Sequence, residues 1–204
     1  MKKIIKISIV FISIMWVFHT FSKNFLVDPA FETFISRKDQ ILTNESLWVF
    51  MIRIHISLAI VSLITGSLGF IKAIRVKSIN FHRWNGRIYV LSIVLNFIPG
   101  VYVSLFATGG WFSTIGFLIL NTLWLVTTIL SYLYIKRRKM ILHSQWMIRS
   151  FFLSLANMTI YIIVAITHNL LNFPYENSYM VAVWLCWIIN LLFAELIIRK
   201  KVLS

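Results

Sequence analysis

Long apolar runs separated by short polar segments dominate the chain. Six stretches, residues 4–22, 47–71, 87–107, 112–135, 149–171 and 179–198, are predominantly apolar over the length of a span. About 20 residues at 1.5 Å rise per residue cross a hydrocarbon core about 30 Å thick. Lipid offers no partner to an open backbone, so each run is expected to be a transmembrane helix and the fold class is all-α. Between the runs, residues 23–46 form one long loop, Ala107-Thr-Gly-Gly110 a tight turn and Asn172-Phe-Pro-Tyr-Glu-Asn177 a short connection. No internal repeat is evident, and the 23–46 loop is too short for a second folded domain, so residues 1–204 read as a single transmembrane domain. Met1-Lys-Lys-Ile-Ile-Lys6 before an apolar run also fits a signal peptide, but Phe18-His-Thr-Phe-Ser-Lys23 lacks a small-x-small cleavage site. The run is therefore read as an uncleaved helix.

Composition agrees with the pattern. The chain is 59% hydrophobic, 16% aromatic and only 13% charged, against roughly 45–50% apolar and about 25% charged in soluble domains. A water-soluble globule, a collagen-like chain and a disordered chain are all excluded. One cysteine, Cys186, permits no disulfide within the chain and packs as a small hydrophobe. The formal charge of +14 would suggest nucleic acid in a soluble protein, but here it is a topology signal and no nucleic-acid partner is implied. With the N-terminus inside, 16 of the 20 basic residues fall on the inner side, and only Lys23, Arg37, Lys38 and Arg53 lie outside. Five of the six acids also fall outside. This positive-inside bias predicts that both termini face the cytoplasm.

Polar residues inside the spans fall into stripes. In the fifth span Ser150, Ser154, Asn157, Tyr161, Ala165 and His168 recur at helical spacing, and extending that helix backwards adds His143 and Met147. The third span offers His82, Tyr89, Asn96 and Gly100, and the second His55, Ala59, Ser62, Gly66 and Gly69. Small and weakly polar stripes are how membrane helices pack. Pro99-Gly100 is expected to kink the third span. Histidines are costlier, and they face the bundle interior or an aqueous cavity by default. His82 and His143 lie at the inner boundary, while His55 lies about 12 Å and His168 about 5 Å from the outer end of their spans. Two inner and two outer imidazoles suit a redox protein with b-type haem, each iron held by paired axial histidines. The inner pair matches in depth and facing; the outer pair differs by about 7 Å. Interface or packing histidines, and proton or substrate handling, are the competing roles.

Two inner segments share their chemistry: Phe81-His-Arg-Trp-Asn-Gly-Arg-Ile-Tyr89 and His143-Ser-Gln-Trp-Met-Ile-Arg149. Trp and Tyr suit the headgroup zone, and Arg pairs with lipid phosphate. Arg83, Arg87 and Arg149 stand near helix N-termini, where cations oppose the macrodipole. An anion or a carboxylate is expected beside them, and Glu195 is the one inner-side acid within reach. No Gly-x-Ser-x-Gly elbow, His-Glu-x-x-His, phosphate-binding glycine loop or paired acids occur, so no protease, hydrolase or kinase motif defines an enzyme and no metal site is assigned.

His55 through Gly66, His82-Arg-Trp-Asn-Gly-Arg-Ile-Tyr89, Gly109-Gly110, Phe117, Leu123-Trp124, Thr127-Thr128 and His143-Ser-Gln-Trp-Met-Ile-Arg-Ser150 together resemble a bacterial family of multi-pass membrane proteins catalogued as a predicted membrane domain of unknown function. The resemblance covers about residues 50 to 165. It implies a bacterial inner-membrane protein and supplies no activity. In the family's pattern, histidines matching His55, His82 and His143 recur and an Arg is usual near Tyr161, whereas His168 stands outside it. Three readings follow: a b-type haem redox protein using His82 and His143, a transporter or binder of anionic lipid headgroups using Arg83, Arg87 and Arg149, and an accessory subunit with a membrane partner or a second copy. In each, the centre is expected at the inner ends of spans three and five, lined by Trp84, Tyr89, Trp124 and Trp146.

Overall fold

The computed structural model describes residues 2–39 and 41–200, with the side chains of Lys2, Lys3 and Lys6 left aside. Every long element is a helix: α1 (Lys2–Phe21), α3 (Glu45–Gly69), α5 (Ile79–Ser104), α6 (Gly110–Lys136), α7 (Met140–Ser154), α8 (Ala156–Val164) and α9 (Tyr175–Arg199). Two short helices, α2 (Glu32–Ile35) and α4 (Lys72–Lys77), sit in the connections. α1 and α8 each run on into a wider π-helical turn, Ser22–Val27 and Ala165–Leu170. Five helices are long and apolar enough to cross a membrane, and the bent α7–α8 pair makes a sixth span.

The boundaries have local causes. The Asn44 side chain accepts from the Leu47 N–H and Glu45 occupies the first turn, so α3 starts with a cap and a favourable charge. The Ser78 side chain caps Phe81 N–H, which starts α5 at Ile79 rather than at residue 87. His82 therefore stands in the first turn of a continuous helix. α7 likewise begins at Met140, earlier than the apolar run, and carries His143. The 107–110 turn is possible because Gly109 and Gly110 take φ of 88° and 59°, left-handed values that burden a residue with a Cβ.

The bend lies elsewhere than the sequence suggests. α5 continues through Pro99 to Ser104, whereas the fifth span breaks at Leu155 and turns by 41°. Ser154 Oγ donates to the Phe151 carbonyl at 2.6 Å, and Leu155 N–H bonds Phe152, three residues back. Tightened local bonding of this kind bends helices without proline.

The connections sort the molecule into two ends. The long-loop end carries residues 28–44 and the turns at 105–109 and 171–174; the basic end carries residues 70–78 and 137–139. α3 and α5 share the largest helix–helix interface. They approach closely at Gly66, where an added Cβ would lie 2.7 Å from the Phe151 ring and 2.8 Å from the Tyr89 ring. Tyr89, Ile93, Trp124 and Leu153 form the central core, and Leu63, Ile148, Phe151 and Phe152 continue it. α1 leans on this bundle through Ile9, Trp16 and Val17 and leaves Phe11, Met15 and Phe18 outward, as a lipid-facing helix does.

Candidate functional site

At the basic end most of the buried polar side chains pair with one another, His82 being the exception. Ser150 Oγ shares hydrogen bonds with Tyr89 Oη at 2.7 Å and Thr128 Oγ1 at 2.6 Å, tying α5, α6 and α7 through one hydroxyl. His143 Nδ1 lies 3.0 Å from the Ser131 carbonyl. The Ser131 hydroxyl lies 2.9 Å from the same nitrogen, and since a carbonyl only accepts, a proton on Nδ1 satisfies both contacts and leaves Nε2 as an acceptor. The Ser131 hydroxyl closes the pair by donating to the His143 carbonyl at 3.2 Å. His82 lies within electrostatic range of His143 and Arg75, so α5 and α7 do bring the two imidazoles into one neighbourhood. His82 Nδ1 is buried with no hydrogen-bond partner among the described residues.

The arginines part company. Arg149 Nε donates to Glu195 Oε1 at 2.6 Å and its guanidinium lies over Trp146, so this cation has the carboxylate partner expected of it. Arg87 stacks over Trp84 on the outside of α5, and Trp84 is 62% exposed. Trp84 therefore seals no internal centre, contrary to its expected role; it lies in the second turn of α5 on the exposed face that also carries Arg83 and Arg87. Arg83 is also exposed.

The internal space lies in the other half. A cavity of about 190 Å³ runs between α1, α3, α5, α6, α8 and α9 toward the long-loop end. His55, ten residues into α3 from Glu45 and so about 15 Å along it, lines this cavity with Trp48, Trp124, Asn121, Asn157 and Tyr161. Neither His82 nor His143 does. In and behind its wall Trp48 Nε1 and Thr20 Oγ1 lack a partner among the described residues, His55 has only the Asn96 side chain beside it, and Trp124 meets the Tyr89 side chain. Buried polar groups are paired in the great majority of cases, so the unpaired ones call for a reason.

The 23–46 segment folds down over this end. Phe31 is fully buried edge-on against Trp48, although its φ of 60° is costly for a residue with a Cβ. Asp28 accepts from the Glu32 and Thr33 N–H groups and starts α2. Slight desolvation raises its carboxyl pKa, and those hydrogen bonds outweigh it, leaving the pKa below the ordinary value. Lys38 donates to the Phe106 carbonyl, and its ammonium lies 4.5 Å from the Trp48 ring centroid. Burial pushes its pKa down to about 8, against an opposing pull from Asp39. Lys23 donates to Tyr161 Oη at 2.8 Å and lies over the Tyr161 ring.

His168 stands apart from His55. It donates from Nδ1 to the Phe173 carbonyl at 2.8 Å and meets Tyr175 edge-on, which closes the turn between α8 and α9. The straight stripe expected on the fifth span is split by the bend. Ser150 joins the basic-end network, Ser154, Asn157 and Tyr161 line the cavity, and His168 serves the turn. Sequence reasoning found His55, Asn157 and Tyr161 as stripe members but not as one wall. Lys38 and Trp48 had no signal, because only the fold-back of the loop brings them to the cavity.

The family model described as "Predicted membrane protein (DUF2306)" matches residues 52–198. That stretch holds α4 to α8, α9 up to Ile198 and α3 from Ile52 onward, with the basic-end network and most of the cavity wall. The chain belongs to this family. It is a multi-pass transmembrane protein with an all-α fold. The DUF2306 match begins after Trp48, so α1 and the folded loop, with Lys23 and Lys38, lie outside it. No curated protein and no solved structure matches the chain.

Proposed function

We propose that this protein binds a small amphiphilic molecule within the long-loop half of its bundle, as a membrane-embedded carrier or binding protein. The observation that carries this is the cavity of about 190 Å³, with His55 and the unpaired indole N–H of Trp48 in its wall. Cavities lined mainly by apolar groups with a few placed polar ones are how small ligands are held. Following the charge distribution, the basic end faces the cytoplasm of a bacterial inner membrane, with exposed Arg83 and Arg87 against anionic headgroups. The ligand then enters from the opposite leaflet. The test is quenching of tryptophan fluorescence by 12-bromododecanol in phosphatidylcholine nanodiscs. A saturable component is expected, carried by Trp48 and Trp124 and lost in Ala59→Phe, which fills the cavity. Quenching that rises without saturation and is the same in Ala59→Phe overturns the reading.

A second reading, a redox protein holding b-type haem or a metal ion, has one observation in its favour. His143 is fixed through Nδ1 with Nε2 left as acceptor, and His82 stands nearby. Such second-shell fixing of the ring is usual for metal-ligating histidine. An air-oxidised and a dithionite-reduced optical spectrum, from cells supplied with haem precursor, decides the haem form. A Soret band that shifts on reduction and is lost in His143→Ala supports it, and a flat visible spectrum rejects it.

A further inference from the structure

We infer that the molecule held in the cavity carries an anionic head on an apolar chain, and that Lys23 and Lys38 hold that head at the long-loop end. The inference rests on the cavity reading above and names its ligand class. Its first support is the chemistry of the wall, which contains no Asp or Glu. The unpaired indole of Trp48 is a donor only, and it stands beside the Lys38 ammonium. Free donors at this end of a wall without a carboxylate are matched by a ligand that accepts.

The second support is the pair of ammonium groups. Lys38 lines the cavity, and Lys23 is bonded to Tyr161, which also lines it. Both are turned inward over aromatic rings, Lys38 over Trp48 and Lys23 over Phe34 and Tyr161. A lysine that merely snorkels extends its ammonium toward water. Neither is in an ion pair among the described residues, where the one ion pair is Arg149–Glu195 at the opposite end. The neighbouring carboxylates are engaged by backbone, Asp39 by the Gly109 N–H at 3.0 Å and Asp28, within electrostatic range of Lys23, by the Glu32 and Thr33 N–H groups. Each ammonium has three N–H bonds and one oxygen partner, so both keep donors for a bound anion. Burial already makes the charged form of Lys38 costly, and an anion at contact distance removes that cost.

The third support fixes the apolar part. Below the lysines the wall continues with Ile52, Ile56, Leu63, Phe117, Leu120 and Ile160, which offer a chain no polar partner. The two halves of the recognition also come from different stretches. The neutral wall lies largely within residues 52–198, matched by the family, and both cations lie before it. The charge of the preferred ligand is then set by the N-terminal part of this chain.

The test uses the full chain in phosphatidylcholine nanodiscs at pH 7.5 and compares 12-bromododecanoate with 12-bromododecanol by tryptophan quenching. The acid is expected to saturate the Trp48 and Trp124 component at about tenfold lower concentration than the alcohol. Lys23→Met and Lys38→Met should each remove most of that advantage, while an unchanged circular-dichroism spectrum and a saturable alcohol component that is still present show that the variants fold. Lys38→Arg should retain it. Equal saturation by acid and alcohol, with no effect of either Lys→Met change, overturns the anionic head while the cavity reading stands. Absence of a saturable component with both probes overturns the cavity reading itself. Competition by hexanoate as effective as that by dodecanoate overturns the apolar chain and makes a water-borne carboxylate the ligand.

Discussion

The two halves of the bundle hold similar side chains and use them differently. At the basic end Tyr89, Thr128 and Ser150 share one hydroxyl network, His143 is tied to Ser131, and Arg149 is paired with Glu195. At the long-loop end His55, Trp48 and Lys38 line open space, and the Trp48 indole N–H has no partner among the described residues. A buried polar group with a partner holds helices together, and one without a partner is a cost that packing must offset. The contrast places cohesion in one half and, on the proposed reading, recognition in the other.

Adding volume separates the halves most sharply. Gly66→Val should be the most damaging change, because its side chain must enter space held by Phe151 and Tyr89. A loss of about 3 kcal/mol, at the upper end for overpacking, is expected as a large fall in thermal midpoint in detergent. Ala59→Phe, facing the cavity, should leave the midpoint nearly unchanged. Equal losses from the two substitutions would erase the distinction.

Removing polar groups comes next. Ser150→Ala takes the shared partner from Tyr89 and Thr128 and should cost about 1–3 kcal/mol. The Arg149–Glu195 pair is partly open to its surroundings, with side-chain exposures of 19% and 38%. Glu195→Gln should therefore cost only about 1 kcal/mol. Glu195→Arg should cost more, and the exchange Arg149→Glu with Glu195→Arg should recover part of it.

The smallest effect concerns pH at the loop. Lys38 has a folded pKa of about 8 against an ordinary value of 10.5. Above about 8 the folded chain loses this proton while the unfolded chain keeps it, so stability rises with pH between those values. Below 8 both states are protonated and the dependence vanishes. Thermal scans from pH 7 to 10.5 should show the rise in the wild type, and Lys38→Met should remove that increment.

Much of the architecture was legible because hydropathy speaks directly about membrane spans. The six runs correspond to the observed spans, and Glu195 was identified as the acid for an arginine since few carboxylates lie outside the polar loops. The apolar bounds at 87 and 149 fall short of the helix starts at Ile79 and Met140, which the backward extensions to His82 and His143 approach, because capping by Ser78 and a basic linker extend helices beyond the apolar core. The bend at Leu155 was missed because no proline marks it; a serine hydroxyl competing for a backbone carbonyl is a weak sequence signal. The inner histidines were identified as neighbours from their shared depth. The cavity was not identified, since its walls come from segments far apart in the chain.

The sequence by itself determined the class of solvent, the number of spans and which residues lie at equal depth, because the bilayer imposes one length and one polarity on every span. Only the tertiary structure decided which polar side chains find partners. Pairing depends on rotation and close approach of helices, as at Gly66, on the 41° bend, and on the fold-back of a loop that brings Lys38 to Trp48. Those are distances between residues remote in sequence, and periodicity along a single helix carries no information about them.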